Sequence, residues 1–255
     1  MTNPQFYSKV ADRFGAYSTG TRRTTDYPQG NPEDFFNAAM EELGGQERTL
    51  LDVGCADGRN LLRVASHYAA VTGIDLSAEM LASARTRQRE AEVEHVTFDL
   101  RDAGATGYPD ESFDVLTSRR GPLAQAEFAR LLRPGGTLLY MGIGEQDARE
   151  LKESFGRGQL FGRWTGEPLM REASAQLREA GLHVEEERTF AYEQFFYCPE
   201  DLQRFLQVVP IFEDFDPEAD RYRFSHYLDR ATSGRGVRLS RHWFVVRAGK
   251  PSRAA

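Results

Sequence analysis

The chain has 255 residues, of which 40% are hydrophobic and 28% charged, a composition typical of soluble globular proteins rather than disordered or fibrous ones. Its formal net charge of -7 disfavours nucleic acid as the main partner, because affinity for phosphate backbones comes from clustered Lys and Arg. Two cysteines, Cys55 and Cys198, with no secretory-signal pattern and no apolar run of about 20 residues, predict a cytoplasmic setting and no membrane partner.

The first 45 residues predict a helical preface. Five apolar residues recur at helical spacing, namely Phe6, Tyr7, Val10, Phe14 and Tyr17. A polar loop from Ser18 to Gly30 follows them. A second helix is better marked, because Asn31 can act as its N-cap, Pro32 fits its first position and Gly44 can end it.

From Thr49 onwards, short apolar runs alternate with amphipathic stretches, which indicates βαβ units and a parallel sheet. The breaker run Arg133 to Gly136 is expected to precede the fifth strand. The predicted strands are 49–53, 71–75, 94–100, 113–117 and 137–142, and the predicted helices are 59–68 and 78–90.

The last part of the chain predicts a helix at Pro168–Ala180, a strand near Leu182–Phe190 and a final strand at His242–Arg247. Between these strands, helices are expected near 199–208 and 217–228, with a flexible hinge at Ser233–Gly236. We therefore expect one domain over 1–255, with the helical preface at 1–45, a cofactor-binding core at 46–145 and a cap or lid insertion at 191–240.

The most informative stretch is residues 50–59, where an apolar strand runs into a turn of small residues and then a helix. Such a turn lets a ligand approach the backbone closely. Asp75 ends the next strand about 20 residues later, where a carboxylate can accept hydrogen bonds from ribose hydroxyls. The spacing departs from the G-x-G-x-x-G fingerprint of nicotinamide cofactors, since Arg59 stands at the third glycine, and this disfavours a dehydrogenase.

Five motifs, in order, resemble those of class I S-adenosylmethionine-dependent methyltransferases. They are Asp52 to Gly58, Gly73 to Leu81, Asp102-Ala103, Ser112 to Val115 and Leu131 to Gly136. The resemblance implies a Rossmann-like α/β fold with a seven-stranded sheet ordered 3-2-1-4-5-7-6, strand 7 antiparallel, and S-adenosyl-L-methionine as cofactor.

The same resemblance implies roles for individual residues. The turn, with Asp52, Gly54, Cys55, Ala56 and Gly58, would contact the amino-acid part of the cofactor, and Asp75 would bind the ribose, although a capping role for this acid is the alternative. Ala56 departs from the family pattern, which more often has glycine. The remaining expected contacts are Leu76 and Met80 bordering the adenine, Asp102 and Ala103 at its edge, and Ser118 facing the methionine moiety.

None of the five histidines has metal-ligand spacing with another His or Cys, so no metal site is predicted. His242 begins the antiparallel strand and His226 lies in the insertion, which makes both candidates for a general base, with core or capping roles as the alternative. Residues 220–255 contain nine Lys or Arg and two Asp or Glu. Arg235, Arg238 and Arg241 could therefore bind an anionic acceptor, or simply form a solvated basic face.

These observations predict transfer of a methyl group to an O or N atom of a small-molecule acceptor. The stretch Ser118 to Pro122 lacks the Pro-Pro-Tyr type of signature found in amino-methyltransferases of nucleic acids. RNA methylation and a non-catalytic cofactor-binding protein are the alternatives. The acceptor and the oligomeric state are left open by the sequence.

Overall fold

A computed structural model describes residues 20–253. Its strands are β1 (Arg23–Asp26), β2 (Gly45–Val53), β3 (Tyr68–Asp75), β4 (Val96–Leu100), β5 (Phe113–Arg119), β6 (Leu132–Ile143), β7 (His183–Phe196), β8 (Thr232–Ser233) and β9 (Gly236–Gly249). Its α-helices are α1 (Pro32–Glu42), α2 (Arg59–Val64), α3 (Ala78–Glu90), α4 (Gln125–Leu131), α5 (Arg149–Phe155), α6 (Leu169–Glu179), α7 (Pro199–Val208) and α8 (Arg221–Ala231). The helix predicted around Phe6 to Tyr17 lies outside the described residues. Between residues 20 and 253, no helix is both long and apolar enough to cross a bilayer.

The described strands form one nine-stranded sheet in the order β1-β7-β9-β6-β5-β2-β3-β4, with β8 paired to β9. The pairs β2–β3, β2–β5, β3–β4 and β5–β6 are parallel, whereas β9 is antiparallel to both β6 and β7. From β4 to β7 the order matches the seven-stranded arrangement that the resemblance implies, so the predicted Rossmann-like α/β fold is confirmed. The sheet has two strands more than predicted. One of them, β1, lies in the stretch predicted as a polar loop.

Strands β7 and β9 are longer than predicted. They pair with each other from His183–Gly249 to Phe196–Val237, whereas β6 follows β9 only as far as Trp243. Residues 191–196 and 237–242 therefore continue past the end of β6, and together with β1 they form a three-stranded extension that we call the ribbon. The start of the predicted insertion, from Ala191, is consequently part of β7.

The predicted hinge at Ser233–Gly236 is instead a tight hairpin turn, because Ser233 pairs with Gly236 across β8 and β9. Arg235, within this turn, makes two hydrogen bonds to the Asp26 carboxylate, at 2.7 and 2.8 Å. These contacts connect the turn to β1.

Two short helices, α4 and α5, were not predicted. Their N-cap residues, Ala124 and Ala148, make no side-chain capping hydrogen bond, so the usual signal for a helix start is missing from the sequence. The predicted breaker run Arg133 to Gly136 lies inside β6, where Gly135 takes φ +79°. The helix predicted to reach Tyr68 ends at Val64, and a 3-10 turn at Ala65–His67 leads into β3.

The helices that carry clear caps were predicted well. Ser77 accepts a hydrogen bond from the Met80 amide at 3.2 Å, and α3 has the predicted bounds. Asn31 accepts one from the Glu33 amide at 3.0 Å at the start of α1. Local capping chemistry thus fixes both helix starts.

Three apolar clusters hold the described structure together. The first lies between the sheet and α1, α2 and α3, and includes Phe36, Leu50 and Trp243. The second lies on the other face against α4 and α6, around Phe128 and Leu177. The third joins the ribbon to α5, α7 and α8. The ribbon therefore has a core of its own, adjacent to the carboxyl edge of the parallel strands.

Candidate cofactor and acceptor site

The turn after β2 has a backbone that lets a ligand come close. Gly54, Ala56 and Gly58 all have positive φ, at +76°, +48° and +70°. A Cβ on Gly58 would lie 2.7 Å from the Phe98 ring, so only glycine fits there. The Gly54 amide donates to the Ile74 carbonyl at 2.8 Å, which anchors the turn to β3. Positive φ therefore favours small residues at all three positions, and at Gly58 the lack of space also requires glycine.

Asp75, at the end of β3, organises this turn. One carboxylate oxygen accepts a hydrogen bond from the Ala56 amide and the other accepts one from the Ser77 amide, both at 2.9 Å. The side chain therefore performs a capping role. Because each oxygen has a second lone pair and the residue is half-buried, the carboxylate can also accept from ligand hydroxyls.

Two large apolar side chains are exposed beside Asp75. Leu76 is 54% exposed and Leu100, next to Asp75 in the β3–β4 pair, is 58% exposed, whereas Met80 and Ala103 are buried. The exposed Asp102 accepts a hydrogen bond from the Gly104 amide at 2.7 Å. An apolar shelf beside a ribose-binding acid fits a flat base such as adenine.

Two predicted site residues, Asp52 in β2 and Cys55 in the turn, are buried. Asp52 is buried and accepts the Thr117 hydroxyl hydrogen bond at 2.7 Å, and burial raises its pKa although Thr117 and Arg119 act in the opposite direction. A Cβ on Gly73 would come within 2.9 Å of the Cys55 Sγ atom, so the thiol fits there because residue 73 has no side chain. Burial raises the pKa of this thiol well above its usual value, which keeps it protonated and unreactive.

The loop after β5 packs against the same turn. Ser118 is buried and donates a hydrogen bond to the Pro122 carbonyl at 2.9 Å. A Cβ on Gly54 would stand 3.7 Å from the Cα of Gly121, so the two loops meet at a single edge of the sheet. Ser118 is thus next to the turn, as expected, but its hydroxyl is used to shape the loop.

An ion-pair cluster that the sequence did not predict lies at this edge. Glu33 in α1 binds Arg119 at 2.5 Å and also Arg120, and Arg119 donates to Asn37 at 2.7 Å. Burial would raise the pKa of Glu33, but the charges of Arg120 and Arg119 outweigh it and lower the pKa. The Arg120 guanidinium lies 4.2 Å from the centre of the Trp243 ring. The signal in the sequence was the Arg-Arg pair at the end of strand β5.

The two candidate bases lie in different settings. His242 is mostly buried, and its Nδ1 atom accepts a hydrogen bond from the Gln146 amide at 3.2 Å, with a Glu145 oxygen 3.9 Å away. His226 is exposed on α8, and within residues 20–253 no hydrogen bond or ion pair joins it to another predicted site residue. Only His242 therefore stands at the carboxyl edge of the sheet.

The three arginines considered for an anionic acceptor all pair with carboxylates. Arg235 binds Asp26 at 2.7 Å, Arg238 binds Glu150 at 2.6 Å, and the buried Arg241 binds the buried Asp147 at 2.8 Å. A further anion would have to displace these partners.

A cavity of about 950 Å³ opens beside the ribbon. Its walls come from the segment after β1, from the ribbon strands and from the end of β6, and include Tyr27, Gln146, Tyr192, Glu193 and His242. A second cavity, of about 520 Å³, lies at the amino ends of the strands around Gly135 and His183. Ligands of open α/β sheets bind at the carboxyl ends of the strands, so of these two cavities the one beside the ribbon is the candidate acceptor site.

Taken together, a small-residue turn, an acid at the end of the next strand and an apolar shelf define a Rossmann-like protein that binds a nucleoside cofactor. Residues 50–136 match a family model described as a methyltransferase domain. A 27-O-demethylrifamycin SV methyltransferase from Amycolatopsis mediterranei is 35% identical over 168 residues, which cover 58% of this chain and 58% of that protein. The likeness thus spans little more than half of either chain.

Two solved structures share the fold more fully. A protein of unknown function from Deinococcus radiodurans superposes with a TM-score of 0.62 at 21% identity, covering 96% of this chain and 98% of the other. The [4+2]-cyclase SpnF superposes with a TM-score of 0.57 at 25% identity, covering 86% and 82%. The match and the shared fold identify residues 50–136 as a methyltransferase domain of the class I type, whose cofactor is S-adenosylmethionine.

Proposed function

We propose that this protein transfers the methyl group of S-adenosylmethionine to an O or N atom of a small-molecule acceptor. The observation that carries the proposal is the turn after β2, with positive φ at Gly54, Ala56 and Gly58, held in place by Asp75. The methyltransferase domain at residues 50–136 and the rifamycin-modifying relative, whose name indicates a small acceptor, support it.

The chain's own residues would position the two reactants. The Gly54–Gly58 turn binds the amino-acid part of the cofactor, Asp75 the ribose hydroxyls, and Leu76 with Met80 borders the adenine. Asp102 and Ala103 meet the adenine edge, while Ser118 and its loop close the side towards β5. S-adenosylmethionine supplies a methyl group on a positively charged sulfur, so transfer is a direct displacement that depends on alignment and the exclusion of water.

Calorimetry on the purified protein tests the cofactor assignment. We expect binding of S-adenosylmethionine and S-adenosylhomocysteine and no binding of NAD or NADP, because Arg59 stands where nicotinamide sites need a third glycine. Tight NADH binding without a response to S-adenosylhomocysteine would contradict the proposal.

Turnover decides between methyl transfer and another use of the same fold. The similarity to a [4+2]-cyclase favours one alternative, a protein that binds the cofactor without transferring its methyl group. Mass spectrometry of reactions with a panel of acceptors separates the two, since only a methyltransferase forms S-adenosylhomocysteine in proportion to the methylated product. Binding alone would leave this alternative standing.

The structure gives less support to an anionic acceptor. Arg235, Arg238 and Arg241 each already contact a carboxylate, and the carboxylates of Asp26 and Glu193 line the cavity. We therefore propose an acceptor that enters the cavity uncharged.

A further inference from the structure

His242 has a fixed orientation at the cavity wall. Its amide donates to the Asp147 carboxylate at 3.0 Å, and its carbonyl accepts from the Gly144 amide at 2.7 Å. A Cβ on Gly144 would lie 2.1 Å from the Nδ1 atom of His242, so the ring can lie there only because residue 144 is glycine.

The contact with Gln146 decides which ring nitrogen carries the proton. The backbone N–H of Gln146 can only donate, so Nδ1 must offer its lone pair. In the neutral ring the proton is then on Nε2. The remaining nitrogen of His242 is therefore a hydrogen-bond donor in the neutral ring, and it has no lone pair with which to take a proton from an acceptor.

The cavity lies within reach of the cofactor turn. β9 adjoins β6, β6 adjoins β5, and β5 adjoins β2, so three strand spacings, about 14 Å, separate His242 from the turn. Arg120 links the two regions, because it lies two residues after Ser118 of β5 and its guanidinium lies over the ring of Trp243, which adjoins His242. A cofactor on the turn and a small acceptor in the cavity can thus meet at the edge of β5 and β6.

The carboxylates in the cavity wall are already engaged. Both oxygens of Glu193 accept from the Ser240 hydroxyl, at 3.0 and 3.2 Å, and Asp26 holds Arg235. The Tyr192 phenol is buried, which raises its pKa and keeps it protonated. The wall therefore offers aromatic surface, with the Tyr27 and Tyr192 rings 5.0 Å apart, and carboxylates that already hold partners within the protein.

We propose that this cavity binds a phenolic or enolic acceptor, and that the Nε2–H of His242 donates a hydrogen bond to the acceptor's ionised oxygen. An oxygen acid of this class loses its proton to water without help from a base, and a donor at His242 favours the ionised form. This role for His242 replaces the general base suggested by its residue type.

The consequence for the reaction rests on the proposed function. The acceptor oxygen forms the new O–C bond as the C–S bond breaks, and the electron pair of that bond goes to the sulfonium sulfur, which becomes neutral. The acceptor's proton has already left to solvent. The products are a methyl ether and S-adenosylhomocysteine, and no other reactant is needed.

The test uses 4-nitrophenol, whose ionised form is coloured, and the full-length protein. We expect the wild type to lower the apparent pKa of bound 4-nitrophenol in an absorbance titration. His242→Phe should bind the phenolate about 10-fold to 150-fold more weakly and lose the shift, because hydrogen bonds to a charged oxygen are worth about 1.5–3 kcal/mol. His242→Gln should keep most of the shift, since its side-chain N–H can replace Nε2–H but cannot act as a base.

His183→Gln is the matched control, because this exposed histidine lies at the other end of β7 and should leave the titration unchanged. The proposal is overturned if the wild type does not bind 4-nitrophenol, if the shift survives in His242→Phe, or if His242→Gln behaves like His242→Phe. Calorimetry with S-adenosylhomocysteine on the same samples checks the cofactor site separately. A wild type that binds 4-nitrophenol with the shift but not S-adenosylhomocysteine would contradict the proposed function and leave the phenolate site intact.

Discussion

The cofactor turn and the ribbon differ in how their sequences make a site. In the turn, Gly54, Ala56 and Gly58 act through their backbone. One side chain, that of Asp75, holds the turn in place by accepting a hydrogen bond from the Ala56 amide. In the ribbon, the groups at the cavity come from β1, β7, β9 and the segment after β6, and each is placed by a side-chain contact distant in sequence. The first kind of site leaves a short motif in the sequence, whereas the second leaves only scattered polar residues.

The largest expected effect lies in the ribbon. Asp147 and Arg241 are 2% and 5% exposed and form an ion pair at 2.8 Å, with Lys152 buried beside them. Asp147→Asn leaves these positive charges without their carboxylate, so we expect the free energy of unfolding to fall by about 3–5 kcal/mol. Urea denaturation measures it, with Asp110→Asn as control, because that side chain is 75% exposed and should change stability by less than about 1 kcal/mol. A loss as small as the control's would show that the pair does not hold the ribbon together.

In the cofactor turn we expect a change in affinity larger than the change in stability. Asp75→Asn removes the charge and one acceptor oxygen, and should weaken S-adenosylhomocysteine binding by about 1.5–3 kcal/mol, or roughly 10-fold to 150-fold. Calorimetry measures the affinity and circular dichroism the fold, and the same Asp110→Asn control applies. An unchanged dissociation constant with an unchanged spectrum would leave Asp75 with the capping role alone.

The smallest expected effect is a gain in stability from a substitution in the turn. Ala56 has φ +48°, a conformation that costs a residue with a side chain about 1–2 kcal/mol. Glycine avoids this cost, but it loses more chain entropy on folding, which offsets part of the gain. Ala56→Gly should therefore raise the free energy of unfolding by about 0.5–1 kcal/mol. Ala82→Gly, at an exposed position within α3, should lower it by about 1 kcal/mol. If both variants lose stability equally, Ala56 is not strained.

Much of the cofactor half could be predicted from sequence, because its determinants are local. The helix after Ser77 and α7 were both predicted to the residue, and each begins at a residue that marks a helix start, the N-cap Ser77 and the proline at Pro199. The order of the strands was implied by the resemblance to class I methyltransferases. The bounds of these two helices thus depended on signals contained within about ten residues each.

The ribbon could not be predicted in the same way. β1, with the sequence Arg-Thr-Thr-Asp, has no apolar alternation and is a strand only because β7 pairs with it. The outer parts of β7 and β9 carry Glu193, Gln194, Ser240 and Arg241, whose polar side chains resemble a loop until their partners are known. The contact of His242 with Gln146 joins residues that are far apart in the chain, so its residue type suggested a base where the geometry fixes a donor.

The pairing of β1 with the end of β7 also limits the order in which parts of the fold can form during synthesis. Arg23 pairs with Phe196 and Asp26 with Glu193, so β1 has no partner until the ribosome has made residues 193–196. The strands β2 to β6, by contrast, pair among themselves within residues 45–143. Since chains are made from the amino terminus and local contacts form fastest, the nucleoside-binding sheet can assemble on the nascent chain while β1 waits unpaired. The cavity beside the ribbon therefore cannot be complete before its last lining residues, Ser240 to His242, have been made.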